Sequence, residues 1–278
     1  MSEILLVDAP FEVSRLYHVT RDINRVIQYI IRDIICMLRY HKLSSIFFCW
    51  DNVLGNIPKD SPYNNRKKLY SEYKSNRKLS YNNDIWKNIQ KNILPFVGIT
   101  QIFCKGAEAD DLIYTIILDD AGENDFTIFS GDHDFVSLLS DKVSIMDSVN
   151  HLITRESFIK ENHFFPERMY EVLVLAGDQS DNVKGVGGIS EETAISLLKG
   201  FDSLESLLSM EEIELNGKEI SKDIIKSNME ILRLRKVSNT QVLKGKVDIK
   251  KLFESGYDFG KYDRKYLQKL FNCYLGDK

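Results

Sequence analysis

Apolar and polar positions in the first half of the chain follow two alternating rhythms. Short continuous apolar runs occupy Ile4–Val7, Ile46–Trp50, Ile99–Phe103, Phe126–Phe129 and Val143–Met146. Their length and β-branched or aromatic content predict buried strands. Between the first two runs, Ile23, Val26, Ile27, Ile30, Ile31, Ile34, Ile35 and Leu38 recur every three or four residues. That spacing predicts an amphipathic helix, with Thr20 placed as its N-cap. Strand–helix alternation of this kind implies an α/β fold with a mainly parallel central sheet covered by helices. From about Phe165 the rhythm becomes helical: Pro166 opens a helix at Glu167, and helical spacing continues through Ile189–Lys199, Lys222–Val237 and Lys261–Tyr274. Two units are therefore expected, an α/β core over residues 1–164 and a helical subdomain over 165–278.

Composition narrows the class. The chain has 278 residues, 43% hydrophobic and 28% charged, which suits one large domain or one with a smaller appendage. Ordinary hydrophobicity excludes a disordered chain, and 15 Gly with 5 Pro exclude a collagen-like fibre. Cys36, Cys49, Cys104 and Cys273 are far apart, with no Cys-x-x-Cys or Cys/His spacing. Reduced thiols, not zinc or a disulfide scaffold, are the expectation. The apolar run at Ile4–Val7 is too short for a signal peptide, and Val26–Leu38 is interrupted by Arg32 and Asp33. A soluble, cytoplasmic protein with no membrane partner is expected.

Acidic residues follow the predicted strands with regularity. Asp8 ends the first strand and Asp51 the second; Glu108, Asp110 and Asp111 follow the third; Asp132 and Asp134 follow the fourth. In an open parallel sheet the carboxyl ends of the strands form the ligand crevice. Taken singly, each acid reads as an N-cap or turn residue. Together they repel one another unless cations neutralise them. Oxygen-only ligation points to a hard divalent ion, Mg2+ or Mn2+. Asp178 and Asp181, three residues apart, add a further pair that a turn can aim the same way.

Two other segments carry candidate binding chemistry. Gly185-Val-Gly-Gly-Ile189 precedes Ser190, an N-cap for a helix over Glu191–Lys199. Such a turn either joins two helices or presents backbone N–H groups to a phosphate. Residues 59–91 hold nine Lys or Arg against three acids, and Arg66, Lys67, Lys68, Lys74, Arg77 and Lys78 are interleaved with tyrosines, Tyr73 among them. The mixture suits phosphate contacts and base stacking, or a solvated helix face.

These residues resemble the 5′-nuclease family, the flap endonucleases and 5′→3′ exonucleases, especially its bacteriophage branch. The resemblance rests on Ile4–Asp8, Cys49-Trp-Asp51, Arg66 with Tyr73-Lys-Ser-Asn-Arg77, Gly106–Leu112, Ser130–Phe135 and Ala176–Ile189, in family order up to about residue 199. It implies a PIN-like core with a helical arch over about 59–91 and a C-terminal helical subdomain with a helix-turn-helix variant (H3TH). It further implies one metal held mainly by Asp8, Asp51, Glu108, Asp110, Asp111 and Asp132, and a second near Asp132, Asp134, Asp178 and Asp181. Tyr73, Lys74 and Arg77 would lie on the arch through which a 5′ single strand passes, with Lys74, Arg77 and Asp132 in catalytic roles. Arg66, Lys184, Gly185, Gly187 and Gly188 would contact DNA, and the glycine turn would take a potassium ion. The substrate implied is DNA with a 5′ flap or a 5′ end on duplex, with RNA–DNA hybrid and primer removal in the same class. A monomer acting in replication or repair is expected, and the sequence names no protein partner. Two departures from the family pattern stand out: Ala9-Pro10 after Asp8, and Glu191-Glu192 where a basic residue is common. The second shifts the expected duplex grip toward Lys184 and Lys199.

The net charge of −4 argues against a uniformly basic nucleic-acid binder. Its distribution does not. The 59–91 segment carries +6 and residues 217–278 carry +7, so the remaining residues hold −17. The alternatives to a 5′-nuclease are a PIN-type ribonuclease and a catalytically silent, structure-specific DNA-binding protein.

Overall fold

The computed structural model describes residues 3–40, 43–53, 56–76, 83–215 and 218–275. Strand β1 (Glu3–Asp8) leads into helix α1 (Ala9–Thr20), then α2 (Ile23–Tyr40) and β2 (Leu43–Trp50). After α3 (Pro62–Leu69) and α4 (Asn83–Asn88) come β3 (Thr100–Phe103), α5 (Ala109–Asp119), β4 (Asp125–Phe129), β5 (Val143–Met146) and β6 (Leu152–Ile153). The second half supplies α6 (Arg155–Asn162), α7 (Met169–Ala176), a hairpin of β7 (Gly177–Asp178) and β8 (Val183–Lys184), α8 (Glu191–Leu198) and α9 (Leu204–Leu208). A second small hairpin, β9 (Glu214–Leu215) with β10 (Lys218–Glu219), precedes α10 (Lys222–Leu232), β11 (Gln241–Leu243), α11 (Ile249–Glu254) and α12 (Arg264–Leu275).

The main sheet runs β11-β3-β2-β1-β4-β5-β6. Its five central strands are parallel, and β11 and β6 close the two edges antiparallel. All five predicted strands are present. Leu6 of β1 faces one core with Cys49, Ile102 and Ile128, while Leu5 and Val7 face the other with Phe48 and Trp50. Burial on both faces is why these strands read as unbroken apolar runs. The strand order reverses between β1 and β4, and at such a point adjoining loops diverge to leave a crevice.

Local expectations differ in four places. Thr20 ends α1, and Asp22 caps α2 by accepting from Asn24 N at 2.8 Å. Helix α1 begins directly at Ala9 because Asp8 caps it, and Pro10 in its first turn needs no hydrogen-bond donor. The helix predicted over Lys222–Val237 stops at Leu232. Beyond it the backbone hooks onto α5: Arg235 N donates to Asp111 Oδ1 and Val237 N to Thr115 Oγ1. The segment over 165–278 is also not wholly helical. Strand β11 pairs with β3, and α11 and α12 bury Leu252, Leu267 and Phe271 in the same core as the apolar face of α2. Likewise the end of the arch predicted over about 59–91 belongs to the core, since Ile85 and Ile89 are buried there, as are Ile93, Leu94 and Val97 just beyond it.

Candidate metal and nucleic-acid site

Asp8 ends β1, and its position is set from two sides. Its Oδ1 accepts from Phe11 N at 3.2 Å as the cap of α1, and its Oδ2 accepts from Ser130 Oγ at 2.8 Å. Ser130 Oγ in turn accepts from Asp132 N at 3.1 Å, so one hydroxyl ties the ends of β1 and β4 together. Asp132 then caps a short turn, with Oδ1 accepting from Asp134 N at 3.1 Å. Gly131 lies between Ser130 and Asp132, and a Cβ there would come within 2.7 Å of the Phe11 ring and displace it. Ser130 holds the two acids in register, a role sequence reasoning missed although the residue stood inside a quoted motif.

Two further acidic groups flank this pair. Glu108, Asp110 and Asp111, at the start of α5, bring one carboxylate oxygen each within 4.8 Å of one another, and so do Asp134, Asp178 and Asp181. Asp178 and Asp181 sit on the β7–β8 hairpin, with Asp178 Oδ1 accepting from Ser180 N at 2.7 Å. Asp51 takes the bland role foreseen for such a residue: its Oδ1 accepts from Ala109 N at 2.8 Å and fixes the start of α5. The strand ends thus deliver acids from four segments to one rim of the sheet.

Electrostatics separates these carboxyls by their partners. Burial, then Asp132 and Asp51, pushes Asp8 up to about 7. Burial and neighbouring acids also raise Asp110 and Asp134 well above the ordinary carboxylate range. Asp178 is raised by burial and by Asp181. Glu108 goes the other way: burial alone would raise it, but Lys74 and Arg66 hold it down at about 2. Asp8, Asp132, Asp134 and Asp178 line one cleft and offer oxygen donors only, a donor set that fits hard divalent cations.

The basic residues expected to meet DNA divide sharply. Arg66 is 1% exposed and is spent inside the protein. It pairs with both oxygens of Asp111 at 2.8 Å and with Glu108 at 2.9 Å, and donates to the Ile231 and Arg233 carbonyls. Tyr73, also 1% exposed, donates its hydroxyl to Glu108 Oε2 at 2.9 Å. Neither has surface to offer a nucleic acid, which corrects that expectation for both. Asp111 is fully buried, and its oxygens are engaged by Arg66 and by Arg235 N. Lys74 is different. Its Nζ reaches Glu108 Oε1 at 2.5 Å and Asp181 Oδ1 at 3.4 Å, so it stands between the two acidic groups. Arg77 lies outside the described residues.

The segment 71–76 is stitched to the hairpin by Lys74 N to Asp181 O, Asn76 Nδ2 to Gln179 O and Asn182 Nδ2 to Glu72 O. Below the hairpin, Val186 N donates to Leu175 O at 2.8 Å, and a Cβ on Gly185 would lie 2.0 Å from Ala176 O. Gly187 and Gly188 are exposed with φ of 60° and 78°, in open space ahead of α8. Ser190 caps that helix as predicted. Lys184 is exposed, and its carbonyl accepts from the buried Asn228 at 2.9 Å. A cleft of about 960 Å³ opens over the acids, lined by Asp8, Asp132, Asp134 and Asp178 together with Phe11 and Arg21.

Comparison with known proteins gives a consistent picture. Residues 3–167 match the family model of the 5′-3′ exonuclease N-terminal resolvase-like domain, and residues 164–255 that of the 5′-3′ exonuclease C-terminal SAM fold. A 5′-3′ exonuclease of Mycoplasmopsis pulmonis is 28% identical over 97% of this chain and 93% of its own length. A thermostable DNA polymerase I of Thermus caldophilus is 36% identical over 52% of this chain, matched within 17% of the polymerase. The fold is shared with the T5 D15 protein co-crystallised with metal ions: TM-score 0.63 at 16% identity, covering 98% of both chains. It is shared too with the catalytic core of Rad2 in complex with DNA substrate, at TM-score 0.59 and 15% identity over 99% of this chain and 92% of that one.

Proposed function

Since the chain belongs to the 5′-3′ exonuclease family, and so to the structure-specific 5′ nucleases, we propose that it hydrolyses phosphodiesters near the 5′ end of DNA, using Mg2+ or Mn2+. The observation that carries this reading is the convergence of Asp8, Asp132, Asp134 and Asp178 on one cleft at the reversal of strand order. We assign one cation to Asp8, Asp51, Glu108, Asp110 and Asp132, and a second to Asp132, Asp134, Asp178 and Asp181. Asp111 is left out of the first set because Arg66 and Arg235 already take its oxygens. Divalent ions there would activate a water and neutralise the leaving oxygen of the phosphodiester.

The chain's own residues do the rest. Ser130 keeps Asp8 and Asp132 in register, and Arg66 and Tyr73 fix Glu108 from behind. Lys74, between the two groups, turns its ammonium to the scissile phosphate once the strand is in place. Arg77 is assigned beside it on sequence grounds. Gly185, Gly187, Gly188 and Lys184 are assigned to the duplex backbone, and a potassium ion to the glycine turn. The substrate is a 5′ flap or a 5′ end on duplex, and the protein acts as a cytoplasmic monomer. Among the described residues no helix is long and apolar enough to cross a membrane.

The test compares end-labelled flap, nicked, single-stranded and RNA–DNA hybrid substrates in Mg2+, Mn2+ and chelator. Metal-dependent cutting of the DNA flap supports the reading. Cutting confined to RNA would favour a ribonuclease, and tight flap binding with no cutting a binding protein.

A further inference from the structure

The cleft is lopsided in charge. Five carboxylates line it, Asp8, Asp132, Asp134, Asp178 and Glu191, and among the described residues Arg21 is its sole lysine or arginine. A phosphate backbone entering such a cleft meets repulsion wherever bound cations do not offset the acids. Arg21 is the one guanidinium set against them in the same lining.

Its placement follows from α1. Asp8 caps the first turn of that helix, and Arg21 ends it in the left-handed conformation at φ 53°, its N–H closing on Tyr17 O at 2.8 Å. The guanidinium lies 5.8 Å from the centre of the Tyr17 ring, and among the described residues no carboxylate pairs with it. An exposed arginine steadied by an aromatic face, with its donors unspent, is suited to a phosphate diester. One helix therefore holds an acid of the metal site at its start and this cation at its end. Twelve residues of helix span roughly 18 Å at 1.5 Å per residue. A strand laid along α1 at about 3.4 Å per nucleotide would cover that span in about five steps.

On the reading of the acids as a nuclease site, we propose that Arg21 grips a backbone phosphate of the bound strand about five nucleotides from the scissile bond. Arg21 is then a binding residue remote from the chemistry. It contributes equally to the bound substrate and to the transition state, so its loss acts on KM and not on kcat.

The test uses the full chain with an end-labelled 5′-flap duplex. Arg21→Asn removes the charge with a side chain that tolerates the left-handed backbone, and Arg21→Lys keeps the charge. Affinity is read by anisotropy with Ca2+ in place of Mg2+, and turnover in Mg2+. Arg21→Asn is expected to raise Kd and KM about tenfold with kcat within about twofold, and to lower the slope of log K against log salt by about one. Arg21→Lys should recover most of the loss. Neutral methylphosphonates walked along the substrate should find one linkage, about five steps from the cut, where wild type weakens and Arg21→Asn does not. An unchanged KM and salt slope, or a fall in kcat with KM unchanged, overturns the assignment of Arg21 while leaving the nuclease reading intact. If wild type fails to cut any substrate, the nuclease reading falls, and the proposal for Arg21 falls with it.

Discussion

Lys74 Nζ lies 2.5 Å from Glu108 Oε1, an ammonium set into the acidic rim at the very residue that opens α5. Burial would strip its proton, but Glu108, Tyr73 and Asp181 hold it charged, well above the ordinary lysine range. Lys74→Met should lower kcat about 100- to 1,000-fold, the scale for losing one charge aimed at a reacting oxyanion. Flap affinity should change far less. The check is single-turnover kinetics beside a binding titration; the reverse pattern would make Lys74 a positioning residue.

Arg66 makes the opposite prediction. Its partner Asp111 is fully buried, so Arg66→Met leaves an uncompensated charge at the join between α3, α5 and the segment after α10. Urea unfolding should show a loss of about 3–5 kcal/mol. A role in DNA contact would instead leave stability alone and reduce the salt slope of binding.

The pH dependence of the metal-free protein follows from Asp8. Its carboxyl is raised from 3.8 to about 7 by burial, Asp132 and Asp51, so the folded state holds a proton that the unfolded chain releases earlier. Stability from this group is therefore greatest in acid and is lost as pH rises from about 4 to about 7. Asp110 and Asp134 act in the same direction. Glu108, held at about 2, contributes stability above the usual carboxylate range that is lost only as pH falls toward 2. Tm should accordingly fall between pH 5 and pH 8 in chelator, and the rise in Tm on adding Mg2+ should be larger at pH 8. An Mg2+ effect that is larger at pH 5 would contradict this.

Asp134→Asn separates repulsion from catalysis. Removing a buried carboxyl crowded by Asp132, Asp181 and Asp178 should raise the Tm of the metal-free protein at pH 8. The same change should abolish cleavage and weaken Mg2+ binding. Thermal melts with and without Mg2+, run alongside a flap assay, report both effects. A lowered metal-free Tm would show that Asp134 is structural.

The acids from Asp8 to Asp134 were legible because they follow strands, and the strands were legible because they are buried on both faces. What escaped is set by distant partners. Arg66 reads as part of a charge run, yet its partners Glu108 and Asp111 lie 42 and 45 residues away and the Ile231 carbonyl 165 away. Residues Gln241–Leu243 are all exposed and carry no periodic signal; only pairing with β3 makes them a strand. Helix α1 went unseen because its buried face is short, Ala9, Glu12, Val13 and Leu16, and mixes a carboxylate with apolar groups. With it went Asp22 as the cap of α2 and Arg21 as a wall of the cleft.

The most direct measurement is cleavage of an end-labelled 5′-flap duplex by wild type and Asp132→Ala, each titrated with Mg2+ and then with chelator. The expected result is product that appears with Mg2+, vanishes in chelator and is absent for a folded Asp132→Ala at every Mg2+ concentration. Cleavage that survives chelation, or wild-type rates from Asp132→Ala, would contradict a divalent-metal site built on these acids.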